Sequence, residues 1–259
     1  MTRFLLFTVY APLTSWGDIA VGESRGSWDR PSRSAILGLM GAALGLVRED
    51  QAAHDALDAG YGLAVRTDAP GATLADYHTA QTVAASQVRK KRPRTRAALL
   101  ECGERQTILS RRAYRQDALA TVAEWARAGA RWTLEELSDA LRRPAFVMYA
   151  GRKANVLGAP VDPSIVEAST LGDAFAMRPP MPRGIEAASR LIGSNAWGRE
   201  VSHDVIGPHD GFASGLEPYR RDVRRDASPN RSRWQFAERV VDVGLLPGRT
   251  PVGSIREGV

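Results

Sequence analysis

Two stretches of this 259-residue chain carry side chains suited to holding an anion. Ser32, Arg33 and Ser34 stand where an apolar helix begins. A helix N-terminus with an arginine and free hydroxyls is a good place to receive a phosphate. The same pattern also describes an ordinary buried helix with a serine cap. Gly38, Gly41 and Gly45 follow at spacings of three and four, so they lie near one stripe that another backbone or a packed sheet can approach closely. The second stretch, residues 89–96, reads Arg-Lys-Lys-Arg-Pro-Arg-Thr-Arg. Arg105, Arg111, Arg112 and Arg115 come after it, with only Glu101 and Glu104 opposing them. Such a run repels itself unless a polyanion is near. Its tip reads equally well as a solvated, partly disordered loop.

Metal and redox chemistry find little support. The single cysteine, Cys102, excludes an internal disulfide framework and a four-cysteine zinc site, and it fits a reducing cytosol. His203-Asp204 and His209-Asp210 recur with a six-residue offset but lack a third strong ligand, so they read as turn residues. His54 sits in a helical pattern. No metal and no cofactor are expected.

The composition, 44% hydrophobic and 25% charged, is that of a soluble globular protein long enough to bury a real core. The net charge is +6, and arginine greatly outnumbers lysine. Arginine binds phosphates bidentately and stacks on bases, which suits a nucleic-acid partner. An alanine- and arginine-rich chain also reflects a high-GC genome. The apolar run from Phe4 to Tyr10 is too short for a membrane span and lacks a cleavable signal pattern, so a cytoplasmic protein with no membrane partner is expected.

The elements that must position these groups can be read from the hydrophobic pattern. Residues 3–10 read as a buried strand, 14–30 as a long polar loop, 32–47 and 49–58 as helices, and 62–66 as a strand. Residues 76–115 look like a long basic hairpin with Pro93 at its tip. The segment 117–125 returns to the core as a strand. Thr133-Leu134-Glu135-Glu136 is a capping box for a helix over 134–142, closed by Pro144. Phe146 to Tyr149 reads as a short strand, 158–164 and 178–184 as loops. A basic stretch from Tyr219 to Arg233 is followed by an alternating strand over 234–243. Trp16 and Trp28 bracket the first loop, where tryptophans plug a core edge, line a subunit interface or stack on a base.

An ordered set of motifs resembles the CasD-type subunits of type I-E CRISPR Cascade complexes, a group within the RAMP superfamily. The motifs are the opening strand with Pro12 and Trp16-Gly17, the Pro31–Gly45 segment, Asp76-Tyr77-His78-Thr79, Tyr114-Arg115-Gln116-Asp117-Ala118, Pro144-Ala145-Phe146 and Tyr149-Ala150-Gly151-Arg152-Lys153. They cover the first 160 residues well and the last hundred loosely. The resemblance implies an α+β fold over residues 1–259 as a single domain. Its parts would be a ferredoxin-like (RRM-like) core, an inserted β-hairpin thumb over about 76–115 and a β-rich C-terminal extension over about 160–259. It implies a subunit that caps the 5′ handle of the CRISPR RNA, leans its thumb on the adjacent backbone subunit, adjoins the large subunit, and meets target DNA only through the complex.

On that resemblance, Ser32, Arg33 and Ser34 form a phosphate clamp. Arg152 and Lys153 follow a glycine that permits close backbone approach. Tyr149 stacks a base if it faces outward and is core if it faces inward. His78, Thr79, Arg111, Arg112 and Tyr114 lie at the base of the arm, where they meet a kinked strand. Related subunits of another CRISPR subtype cut repeat RNA without metal, which makes a metal-independent endoribonuclease the alternative. His78 would be its general base, with Tyr77, Lys90 or Lys153 drafted beside it, but no spacing forces these together. The expectation is a non-catalytic RNA-binding protein.

Overall fold

Strand β1 (Thr2–Thr14) sets the architecture, because every residue from Phe4 to Ala11 is buried and both of its faces need cover. Leu5, Phe7, Val9 and Ala11 enter one core cluster, while Phe4 and Leu6 enter another on the opposite face. The computed structural model describes residues 1–17, 20, 22–178, 198–230 and 235–247. After β1 come three two-residue strands, β2 (Trp16–Gly17), β3 (Ser24–Arg25) and β4 (Ser27–Trp28), then helices α1 (Arg33–Ala43) and α2 (Gln51–Gly60). Strands β5 (Tyr61–Ala69) and β6 (Ala72–Val83) lead to α3 (Ala85–Lys91), α4 (Arg96–Leu100) and the 22-residue β7 (Arg105–Ala126). The chain continues through α5 (Leu134–Arg142), β8 (Ser164–Ala168), α6 (Leu171–Met177), β9 (Glu200–Asp204), β10 (Glu217–Asn230) and β11 (Gln235–Leu245).

One sheet runs in the order β10-β11-β9-β5-β7-β1-β8, and β3 and β6 also pair with β7. The central pairs β5–β7, β7–β1 and β1–β8 are all antiparallel. Ile36, Leu39 and Met40 of α1, Leu57 of α2 and Leu134, Leu137 and Leu141 of α5 pack on one face. Leu171, Ala174 and Phe175 of α6 cover the other, around Trp125. The expected capping box starts α5, with the Thr133 hydroxyl accepting from the Glu136 N–H and the Glu136 carboxylate accepting from the Thr133 N–H.

β7 serves two regions. Its first half, Arg105–Gln116, pairs with β6 to form an arm; its second half is buried between β1 and β5. The change falls at Asp117, which adopts a positive φ of 54°. Opposite it Gly71 has φ 70°, and a Cβ there would sit 2.4 Å from the Gln116 carbonyl oxygen, so only glycine fits this crossing. The arm is the expected hairpin, with boundaries near 72 and 116. Its end differs from the expected loop around Pro93: α3 and α4 build it, the latter capped by Thr95.

Three other expectations need correction. Residues 14–30 are more than a loop, since β2 and β4 pair Trp16 with Trp28 and β3 adds to β7. Residues 146–149 are not a strand; a single bridge joins Tyr149 to Val156. Helix α1 stops at Ala43, because Gly45 at φ 74° turns the chain left-handed. The segment from 160 onward, expected as a β-rich extension, adds strands to both sides of the same sheet. β8 flanks β1, and β9, β11 and β10 extend the opposite side of the sheet. Residues 179–184 and 231–234, including parts of the expected loop and basic stretch, lie outside the described residues.

Candidate nucleic-acid interface

Arg33 does not form the expected clamp. Its side chain is 6% exposed and ion-paired with Asp58 and Asp204, and it also donates to the backbone carbonyls of Asp58 and Tyr61. The Arg33 backbone N–H donates to Asp226 Oδ2 at 2.8 Å, so the helix N-terminus already holds an anion, a carboxylate from β10. Arg239 ties the same two acids together, 2.8 Å from Asp204 Oδ1 and 2.7 Å from Asp226 Oδ1. Ser32 is buried as the N-cap, accepting from the Ala35 N–H, and its hydroxyl lies 3.1 Å from that of Ser34. This corner of the molecule joins α1 to the C-terminal strands.

The neighbouring face of α1 is different. It floors a groove of about 1530 Å³ whose far walls are the 146–153 segment, the 17–26 loop and the β10–β11 hairpin. Ser34, Ala35, Gly38, Leu39 and Ala42 give a mainly apolar floor. Around it stand Tyr149, Arg152, Lys153, Arg25 and Arg225. Of the glycine stripe, Gly38 and Gly41 both line the groove, and Gly41 also faces the His54 ring, 3.4 Å from where its Cβ would be. Tyr149 is half-buried and lines the groove.

The 149–153 turn is held rigidly. Gly151 has φ 86°, and a Cβ on it would fall 1.8 Å from the Ser15 carbonyl oxygen. The Ser15 N–H donates to the Ala150 carbonyl, and Asn155 closes the turn from beneath. Arg152 stacks 4.4 Å above the Tyr114 ring and forms no ion pair among the described residues; its Nη1 is buried without a hydrogen-bond partner. A cation held against an aromatic face with donors unused is prepared for an incoming acceptor.

The arm residues divide between two faces. The β6–β7 register sets Asp76 opposite Arg112, His78 opposite Ser110 and Leu74 opposite Tyr114, so His78, Arg112 and Tyr114 share one face. Thr79 and Arg111 lie on the other, with Tyr77 and Arg115. Only the Tyr114 face meets the groove wall, through Arg152. His78 is exposed, its Nδ1 3.3 Å from Asp76. Tyr77, drafted beside it on paper, points away, while Lys90 belongs to α3 and Lys153 to the groove turn.

Sequence reading missed Arg25, Arg225 and Phe146 as groove residues. Arg225 had a signal in its basic stretch; Arg25 and Phe146 reach the groove only through long-range packing. The two expected turn pairs differ: His209 and Asp210 do sit in a single 3-10 turn, Pro208–Asp210, with His209 exposed. His203 and Asp204 lie in β9 rather than a turn, and Asp204 is taken by Arg33, Arg239 and the Leu63 N–H. Asp210 accepts from Trp125, Arg127 and the Gly207 N–H, which hold its carboxyl below the usual range against the opposing effect of burial. Among the described residues no group of three His, Cys, Asp or Glu side chains could hold a metal ion. Glu124, buried beneath Arg33 with neither oxygen hydrogen-bonded, is pushed up to about 8 by burial, which Arg33 opposes and Asp204 reinforces.

The similarities to known proteins extend over nearly the whole chain. A family model described as CRISPR-associated protein (Cas_Cas5) matches residues 4–242. The Cascade subunit CasD of Escherichia coli (strain K12) is 30% identical over 169 residues, which is 62% of this chain and 70% of that protein. Among solved structures, a chain of a CRISPR RNA-guided surveillance complex superposes with a TM-score of 0.60 at 24% identity, covering 94% of this chain and 90% of that one. A crystal structure of a Cas protein gives 0.53 at 22% identity, covering 94% and 95%. The sheet-dominated α/β architecture is therefore shared with these proteins, and the chain belongs to the Cas5 family of CRISPR-associated proteins.

Proposed function

We propose that this chain is a non-catalytic, RNA-binding subunit of a type I-E CRISPR surveillance complex, acting in the cytoplasm, that caps the 5′ handle of the guide RNA. The likeness to CasD supports a place among Cascade subunits. The succession β1-α1-α2-β5-β7-α5-β8, with its four strands in the spatial order β5-β7-β1-β8, supports a ferredoxin-like RAMP core. The observation that carries the RNA reading is the groove. An apolar floor under Tyr149, ringed by Arg25, Arg152, Lys153 and Arg225, suits a single strand with bases inward and phosphates on the cations. Unlike Arg33, none of these cations is ion-paired with a carboxylate among the described residues.

The arm, with Arg89, Lys90, Lys91, Arg92, Arg94 and Arg96 at its end, extends toward the adjacent backbone subunit, and the large subunit docks alongside. Dispersal of His78, Tyr77, Lys90 and Lys153 supports a scaffold rather than a ribonuclease. Anisotropy titration of handle RNA onto the full chain tests the reading. Arg152→Ala with Lys153→Ala should weaken binding and complex assembly while the fold survives; unchanged binding and assembly refute it. Cleavage of repeat RNA in EDTA that His78→Ala abolishes would instead establish the enzyme.

A further inference from the structure

On the other side of β7 from the groove lies a second, smaller cavity of about 550 Å³, between the 27–30 segment and β10. Arg115 reaches it because adjacent strand residues alternate faces, which sends Tyr114 toward Arg152 of the groove wall and Arg115 the other way. Several of its cations are already satisfied. Arg30 and Arg220 both bind Glu200 and Asp222, and Arg221 lies 2.6 Å from Asp242. Arg115 and Asp29 are not. The Arg115 guanidinium forms no ion pair among the described residues, and its Nε is buried without a hydrogen-bond partner. Asp29 Oδ1 also lacks a hydrogen bond, standing 3.7 Å from the nearest Arg30 nitrogen. The Nε of Arg30, whose side chain is only 3% exposed, is a third unpartnered group in the lining.

An aromatic wall completes the cavity. Trp28 is 36% exposed, and its backbone is fixed opposite Trp16 by the β2–β4 pairing. The buried Arg224 guanidinium braces its ring from 4.4 Å and does not itself line the cavity.

We propose that this cavity receives one unstacked guanine base of a bound RNA strand. The inference rests on the RNA-binding reading above and adds a base-specific site to it. The Trp28 face offers stacking, which every base accepts. Selection comes from Asp29 and Arg115, each with a buried atom that makes no hydrogen bond. A carboxylate accepts hydrogen bonds from neighbouring N–H groups, and guanine presents two of them side by side, at N1 and N2. An arginine donates to guanine O6 and N7. Adenine lacks the paired donors, and uracil presents a single one. A bare phosphate would satisfy Arg115 but face the carboxylates of Asp29 and Asp222. At about 550 Å³ the cavity fits a small ligand, not a folded partner.

The test uses the full chain with uridine octamers carrying one central guanosine, adenosine or cytidine, and the all-uridine octamer, read by fluorescence anisotropy. Guanosine 5′-monophosphate is titrated alongside by saturation-transfer NMR. The guanosine octamer should bind at least tenfold tighter than the other three. Asp29→Asn should remove that preference while leaving all-uridine affinity within twofold. Arg152→Ala should weaken all four octamers alike and keep the preference. Octamers that bind equally well, or a preference that survives Asp29→Asn, overturn the guanine site and leave the groove reading standing. If no octamer binds but guanosine 5′-monophosphate does, in an Asp29-dependent way, the groove reading falls and the site stands. If neither binds, both fall.

Discussion

Arginines near the start of α1 and arginines of the arm and the 149–153 turn come from the same cationic composition, yet they do opposite work. Arg30, Arg33 and Arg239 face Glu200, Asp222, Asp58, Asp204 and Asp226, and all but the rims of these pairs are withdrawn from water. Arg111, Arg112, Arg115, Arg152 and Lys153 form no ion pair with a carboxylate among the described residues, although Asp76 lies across the strand from Arg112 and Asp29 and Asp222 line the same cavity as Arg115. An ion pair with its acid already present is a cross-link; a cation without one is a binding surface. The excess positive charge of the chain is therefore concentrated where the anion must come from outside.

The sharpest way to break this comparison is Arg33→Ala. It would remove the buried guanidinium that joins Asp204, which keeps Arg239, to the partly exposed Asp58, at a cost of about 3 kcal/mol. Urea unfolding should show a much lower midpoint. A variant as stable as the parent but defective in RNA binding would return Arg33 to the role of a clamp. Gly151→Ala comes next, at about 2 kcal/mol, because the residue is both left-handed and blocked by the Ser15 carbonyl. It should also weaken RNA binding, since Arg152 and Lys153 depend on that turn.

Glu124 provides a pH handle on the paired region. Its folded pKa, about 8, lies above the ordinary 4.5, so the folded state binds the extra proton between those values. Its contribution to stability is complete below about pH 4.5 and is lost as pH rises through 8, with a slope of at most about 1.4 kcal/mol per pH unit. Glu124→Gln should flatten that part of the stability profile. A profile unchanged by the substitution would mean that Arg33 keeps the carboxylate ionised.

Much of the scaffold was legible because its signals are local. Apolar runs marked β1 and the buried half of β7, and Thr133 with Glu136 marked the start of α5. The arm was legible because the acids nearest its basic run are few. Arg33 was misread for the converse reason. Its partners lie 25 and 171 residues away, and nothing around position 33 announces them. The division of His78 from Thr79, and of Arg112 from Arg111, follows simply from strand alternation once 76–79 is known to be paired strand rather than loop. Residues 146–149 looked like a strand because Phe146, Val147 and Met148 run together, but Phe146 and Val147 are exposed and no ladder forms; the Ala145 and Phe146 N–H groups donate to the end of α1 instead.

The smallest expected change in stability belongs to Arg152→Ala with Lys153→Ala, and it is the most informative about the unpaired region. Neither side chain holds a carboxylate, so removing both should alter unfolding by less than about 0.5 kcal/mol. Lost packing of Arg152 on Tyr114 is the main contribution. Binding should respond quite differently. Each phosphate contact on a single strand contributes about 0.7 to the slope of log affinity against log salt. The double variant should therefore lower that slope by about 1.4, whatever the base sequence. A fall in affinity with an unchanged slope would mean that these cations act on bases or on a protein neighbour. A fall in stability equal to that of Arg33→Ala would erase the distinction between the two sets of arginines.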